Sequence, residues 1–167
     1  MTRYAAETTV SVDQSRTEIE KILRRYGADA FMYGWEQGRA AVRFRCQGKF
    51  VAFVLPMPDR DDPAFTTYLR GSVRYQRTEE QAEKLWEQAG RQRWRALALV
   101  IKAKLEAVET GITTFEDEFM AYLLLPDGHT FGEWAKPQLE RVYLSGQMPD
   151  QLLGLPSPNR PDKEYRP

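Results

Sequence analysis

Residues 31–55, FMYGWEQGRAAVRFRCQGKFVAFVL, decide the fold. They read as three short strands joined by Gln-Gly turns at Gln37-Gly38 and Gln47-Gly48. If each turn is a two-residue hairpin loop, Glu36 pairs with Arg39 and Cys46 with Lys49. Alternation then places Phe31, Tyr33, Trp35, Val42, Phe44, Val51, Phe53 and Leu55 on one face. That face is expected to be a core. The other face carries Met32, Glu36, Arg39, Arg43, Arg45, Phe50 and Val54, a mixture of arginine and apolar groups that suits a partly covered or ligand-contacting surface.

Working outward, residues 8–12 alternate as a short strand, and Ser15-x-x-Glu18 is a capping-box signal for a helix. Ile19, Ile22, Leu23 and Tyr26 make one apolar stripe, and Gly27 stands where a left-handed C-terminal residue belongs. Burying that stripe on the apolar sheet face gives an α+β unit: an antiparallel β-meander packed by an N-terminal helix. Residues 56–77 read as an irregular connection, with a helical turn over residues 63–69.

Thr78-x-x-Gln81 opens a long helix running to about Glu109, ahead of Gly111. At about 100° per residue, Lys84, Arg91, Arg95 and Lys102 fall within a sector of about 40°. Arg93 and Lys104 fall inside the apolar arc, where they must snorkel or meet carboxylates such as Glu116, Asp117 and Glu118. A small helical region follows. Residues 114–124 have acids in the first turn, Pro126-Asp127-Gly128 is a turn, and Thr130-x-x-Glu133 is another capping box. Pro137 either kinks that last helix or starts a new one ending near Gly146. Residues 1–146 thus form one domain, and the proline-rich, charged residues 147–167 read as a disordered tail in which Leu152, Leu153 and Leu155 could dock.

The 167 residues suffice for one core without staples. Cys46, the single cysteine, lies on the core face and fits a reducing compartment. Met1 starts no basic-then-apolar leader, and no apolar run approaches a membrane span of roughly 18 residues, so a soluble, cytoplasmic chain is expected. Lys and Arg number 24, as do Asp and Glu, which argues against a generic nucleic-acid coat. Local patches remain: residues 39–49 hold four cations and no acid.

Two cationic sets are candidate nucleic-acid or acidic-partner contacts. The sheet set is Arg39, Arg43 and Arg45, beside Phe50 and Met32. The helix stripe Lys84, Arg91, Arg95 and Lys102 is about 27 Å long at about 1.5 Å per residue. Against this, a solvated surface explains most such stripes, and the long helix could cover the sheet arginines. Phe31, Tyr33 and Trp35 invite base stacking, but alternation assigns them to the core. Asp59, Asp61 and Asp62 form the densest loop carboxylate set, a weak basis for a metal-dependent nuclease. His129, the single histidine, follows a turn, and no nucleophile elbow or phosphate-cradling glycine loop is present.

Two stretches, SVDQSRTEIEKILRRYGADAFMYGW with VAFVLPMPDRDD, and RQRWRALALVIKAKLEAVETGITTFEDEFMAYLLLPDGHTFGEW, resemble a group of small uncharacterised bacteriophage and prophage proteins. The resemblance implies phage origin and a role inside the infected host cell. It carries no activity, cofactor or catalytic residue. The expectation is therefore a non-catalytic accessory protein without metal or cofactor. It would bind nucleic acid, in a single-stranded, recombination or replication context, through the sheet and helix cations. The alternative is a protein-binding inhibitor or adaptor acting on a host defence or replication protein.

Overall fold

The computed structural model describes residues 8–36 and 38–147. The α+β architecture is as the sequence predicts. Helix α1 (Val12–Arg25) leads into an antiparallel sheet of β1 (Ala30–Glu36), β2 (Arg39–Cys46) and β3 (Lys49–Pro56), in the order β1-β2-β3. The register is the one the turns dictate: Glu36 faces Arg39, Tyr33 faces Val42, Val42 faces Phe53 and Cys46 faces Lys49. Gln47 and Gly48 both have positive φ, 51° and 74°, so this is a primed hairpin turn whose twist matches the strands it joins.

The first helix starts earlier than the Ser15 signal suggests. Ser11 is the N-cap, its hydroxyl accepting from the Gln14 N–H while the Gln14 side chain accepts from the Ser11 N–H. Val12 is therefore already helical, the expected strand over residues 8–12 does not form, and Ser15 is buried one turn inside. The stripe beyond it behaves as predicted: Ile19 and Leu23 are buried, and Gly27 takes φ 85° past the helix end, where any side chain would be strained.

Residues 56–77 are more ordered than a loose connection. A single helical turn, α2 (Pro63–Thr66), is followed by a separate hairpin of β4 (Thr67–Arg70) and β5 (Val73–Gln76). Gly71-Ser72 turns it, and Tyr68 stacks on Tyr75 at 5.6 Å. Helix α3 (Glu79–Glu109) then begins at the expected Thr78–Gln81 capping box and packs along α1. Its inner side, Trp94, Leu97, Ala98, Ile101 and Leu105, joins Ile19, Leu23, Val42, Phe44 and Val51 in one core.

Helix α4 (Phe115–Phe119) stops after five residues, shorter than the helix predicted over residues 114–124. A 3-10 turn, Met120–Tyr122, follows, and Leu123 becomes extended because it bridges to Val51. The Leu124 N–H donates to the Phe50 carbonyl at 2.8 Å, so the outer edge of β3 is covered there. Phe119 inserts edge-on against Phe44 and Phe53 at 5.9 and 6.3 Å, and Tyr122 stacks on Phe53 at 4.1 Å. Helix α5 (Phe131–Ser145) opens at the expected Thr130–Glu133 box, runs through Pro137 without dividing, and ends at left-handed Gly146. Gly132 is required for its docking: a Cβ there would lie 2.7 Å from the Ala121 carbonyl oxygen. The expected tail, with Leu152, Leu153 and Leu155, falls outside the described residues.

One burial assignment needs correcting. Phe44, Val42 and Phe53 are buried and Phe31 packs against the core, but Tyr33 is 49% and Trp35 80% exposed. The register is right, yet β1 is the edge strand, and the helices do not reach over its far end. Arg16 of α1 is the last cover, its guanidinium lying 4.7 Å from the Tyr33 ring and 4.6 Å from that of Trp94.

Chemical denaturation checks this map directly. Trp94→Ala should cost about 3–5 kcal/mol, because a fully buried indole leaves a cavity, whereas Trp35→Ala should stay within about 0.5 kcal/mol. Gly132→Ala should cost about 1–3 kcal/mol, since backbone rather than a mobile side chain stands in the way.

Candidate interaction surface on the open sheet face

Both α1 and α3 bury their apolar sides on the Val42-Phe44-Phe53 face of the sheet. The opposite face has no helix over it among the described residues. Met32 is 60% and Phe50 51% exposed there, Val54 is half exposed, and Arg39 and Arg43 stand in solvent. The possibility that α3 covers these arginines is thus excluded by its place on the other side of the sheet.

A trough of about 600 Å³ crosses this face, lined by Met32, Gly34, Trp35, Arg39, Arg43 and Val54, with Ala41. Its form follows from the ladder. Gly34 pairs with Ala41 and Ala41 with Val54, so small side chains make a low floor running across the strands. Met32 and Arg43 form one wall, and Arg39 stands on the other side; at about 3.3 Å per residue the two arginines rise about 13 Å apart along β2. Trp35 closes the β1 side. A second recess of about 380 Å³ adjoins it, between Phe31, Phe44, Phe50 and Leu124, and also touches Met32 and Arg43. Arg43 therefore stands between a trough of mixed polar and apolar lining and a largely apolar recess.

The predicted cations divide according to whether the fold already uses them. Arg45 donates from Nε to Asp29 Oδ1 at 2.7 Å and lies over the Phe50 ring, 5.6 Å from its centroid. The hydrogen bond from Arg45 is the main reason the Asp29 carboxyl is held below its ordinary pKa, and Asp29 in turn raises that of Arg45. Lys49 pairs with Glu116 at 2.6 Å, and its hydrogen bond likewise lowers the Glu116 pKa. Arg43, by contrast, has no ion pair or hydrogen bond among the described side chains. Arg39 has none either, though Glu36 stands opposite it on the ladder.

On α3, Lys84 pairs with Glu80 at 2.7 Å, Arg91 pairs with Glu87 at 3.5 Å and also donates to Gln88, and Arg95 pairs with Glu18 of α1. Lys102 alone of the stripe is exposed without a partner among the described residues. The stripe is therefore largely neutralised, and Arg95 serves the contact between two helices. It also belongs to the helical layer, whereas the sheet arginines point away from that layer. The expectation that both sets merge into one cationic surface is corrected by this geometry. The expected resolution of the two inward cations does hold: Lys104 meets Glu118 at 2.7 Å, and Arg93 donates to the Pro56 carbonyl.

The loop acids are committed locally. Asp62 caps α2 by accepting from the Ala64 N–H, and Asp59 accepts from the Asp61 N–H. No group of three His, Cys, Asp or Glu side chains among the described residues could hold a metal ion. His129 is exposed beside Asp127. Cys46 is buried, and burial pushes its thiol pKa up, away from the reactive thiolate. No helix among the described residues is long and apolar enough to cross a membrane.

Sequence reasoning missed Trp35 as a surface residue. The available signal was its place two residues before a turn on an edge strand, where helical cover is thinnest. It also missed the β4–β5 hairpin, whose Tyr68, Leu69, Val73 and Tyr75 are exposed. No protein family, curated protein or solved structure matches this chain.

The two corner ion pairs set an acid limit. Because Asp29 and Glu116 have lowered pKa values in the fold, their stabilisation is fully present above the ordinary carboxylate range and is lost as pH falls through the lowered values. Melting temperature should accordingly be flat from neutral pH to about 5 and decline below about 4. In thermal melts, Asp29→Asn should show a shallower decline over that acid range than the unmutated chain.

Proposed function

We propose that this chain is a protein-binding module that holds an acidic, apolar-anchored partner on its open sheet face, without catalysis of its own. The observation that carries this reading is Arg43: an arginine with no counter-ion among the described residues, set between a trough of mixed polar and apolar lining, walled by Met32 and Trp35, and a largely apolar recess beside Phe50. Exposed Trp, Met and Arg around a small-residue floor are what the buried centre of a protein interface uses. A carboxylate arriving there would meet a guanidinium fork, while an adjacent apolar side chain would enter the trough. Formal charge balance over the chain fits such a local, sign-matched contact better than a coat around a polyanion. Within the phage setting suggested by the sequence resemblance, an inhibitor or adaptor acting on a host protein is the corresponding role.

A second reading is favoured by Trp35 and Phe50 specifically. Phe50 presents aromatic surface on the arginine face and Trp35, rooted on the helix side of β1, lines the trough at its exposed end, so single-stranded nucleic acid could stack on them with phosphates at Arg39 and Arg43. The Lys84–Lys102 stripe no longer contributes, being mostly paired with acids.

One experiment separates the two. Peptides selected from a random library should be rich in Asp or Glu beside a large apolar residue. Arg43→Glu should weaken them by at least about tenfold, and Lys102→Glu should leave them unchanged. Salt-sensitive binding of single-stranded DNA or RNA that Arg43→Glu abolishes, without any selected peptide, would establish the nucleic-acid reading instead.

A further inference from the structure

Strand β1 has a free edge. β2 occupies one side, and among the described residues no strand pairs with the other, whereas the outer edge of β3 is met by Leu123 and Leu124. Exposed edges are ordinarily guarded by lysine, proline, a bulge or a short strand. Here Ala30–Glu36 has seven residues in unbroken register with β2, no proline or lysine, and one charge at its last position. Its exposure occurs on both faces: Met32 on the open side, Tyr33 and Trp35 on the helix side. A partner bound to one face alone would leave the other set uncovered. A strand added to the edge covers both.

We propose that the occupant is β1 of a second copy, paired antiparallel about a twofold axis through Tyr33 to make one six-stranded sheet. The register follows from parity. Antiparallel neighbours directly opposite share a face, so a twofold pairing that keeps both cores on the same side must centre on a residue, not between two. Centring on Tyr33, the midpoint of Ala30–Glu36, uses the whole strand. It sets Phe31 against the partner's Trp35, Met32 against the partner's Gly34, and Tyr33 against the partner's Tyr33. Each large side chain meets another aromatic or the space left by a glycine; Gly34 has nothing within 4 Å of its Cβ position. Centring one residue further on shortens the ladder and sets Met32 against the charged Glu36 of the partner subunit.

Formal charge is zero, so like copies do not repel at long range. The exposed parts of Met32, Tyr33 and Trp35 in two copies amount to roughly 800 Å², before any backbone is counted, which lies below the roughly 1,200–2,000 Å² of stable specific interfaces and in the range of weak, transient ones. The dimer is therefore reversible and concentration-dependent. Pairing also brings the two open faces into one surface, doubling the sites proposed above, but it does not depend on their ligand.

Sedimentation equilibrium of the intact chain over a dilution series should show monomer and dimer exchanging, and Trp35→Lys should weaken association by about tenfold or more. Mild oxidation reads the register. Tyr33→Cys, checked for native circular dichroism, should crosslink rapidly between copies. Trp35→Cys should not, because its two copies lie about 14 Å apart, beyond disulfide reach; buried Cys46 stays out of the reaction. A strictly monomeric unmutated chain would overturn the proposal, as would crosslinking of Trp35→Cys as readily as Tyr33→Cys. Loss of peptide binding with the dimer intact would refute only the ligand reading.

Discussion

The alternation of the three-stranded meander is the constraint on which the rest of the structure depends. With Gln47-Gly48 fixing one hairpin and the chain turning again at Gly38, a shift of one residue would turn Val42, Phe44, Val51 and Phe53 outward. In the observed register these side chains meet Ile19 and Leu23 from α1, and Trp94 and Ile101 from α3. Phe119 completes the cluster edge-on to two of the rings, as the quadrupoles of aromatic pairs prefer. Because α1 and α3 are spent on that face and α5 docks on the Met120–Tyr122 turn, no helix among the described residues covers the other.

The functional reading is a consequence of that asymmetry. A sheet covered on one side normally presents polar residues to water, giving clean alternation. Here the open side holds Met32, Phe50 and Val54 with Arg39 and Arg43, so exposed apolar area is retained where the fold does not need it. Electrostatics sharpen the point. Arg45, Lys49, Lys84, Arg91, Arg95 and Lys104 all have acidic partners within the chain. These pairs are largely at the surface and contribute little to stability, but they remove the cations from the pool open to a ligand. Arg39 and Arg43 are left over on the open face, Arg43 at the place where the trough meets the apolar recess.

Much of this was legible in the sequence. Two-residue turns and period-two patterning sufficed for the register, and the Thr78–Gln81 and Thr130–Glu133 boxes sufficed for the starts of α3 and α5. What could not be read depended on contacts distant in the chain. Whether Trp35 is core or surface is decided by how far α1 and α3 extend over the edge strand. Leu123 leaves the helical pattern because Val51, 72 positions earlier, offers it a bridge. Of the helix stripe, only Arg95 meets an acid, Glu18, that folding alone brings near. Three misses had local signals: Glu80 and Glu87 stand four residues before Lys84 and Arg91, Ser11 with Gln14 competes with Ser15 and Glu18 as a cap, and Gly71-Ser72 between two short β-prone runs marks a hairpin.

One sheet thus presents a helix-covered face and an open, partly apolar face along the same strands. Hydroxyl-radical footprinting read by mass spectrometry tests it at single residues, at protein concentrations low enough to keep the chain monomeric. Adjacent side chains of β3 point to opposite faces, so Phe50 and Val54 should be oxidised readily while Val51 and Phe53 are spared, and Met32 should react where Phe44 does not. Equal protection of Phe50 and Phe53 would mean that the outer face is covered within the chain and that the sheet has no open side.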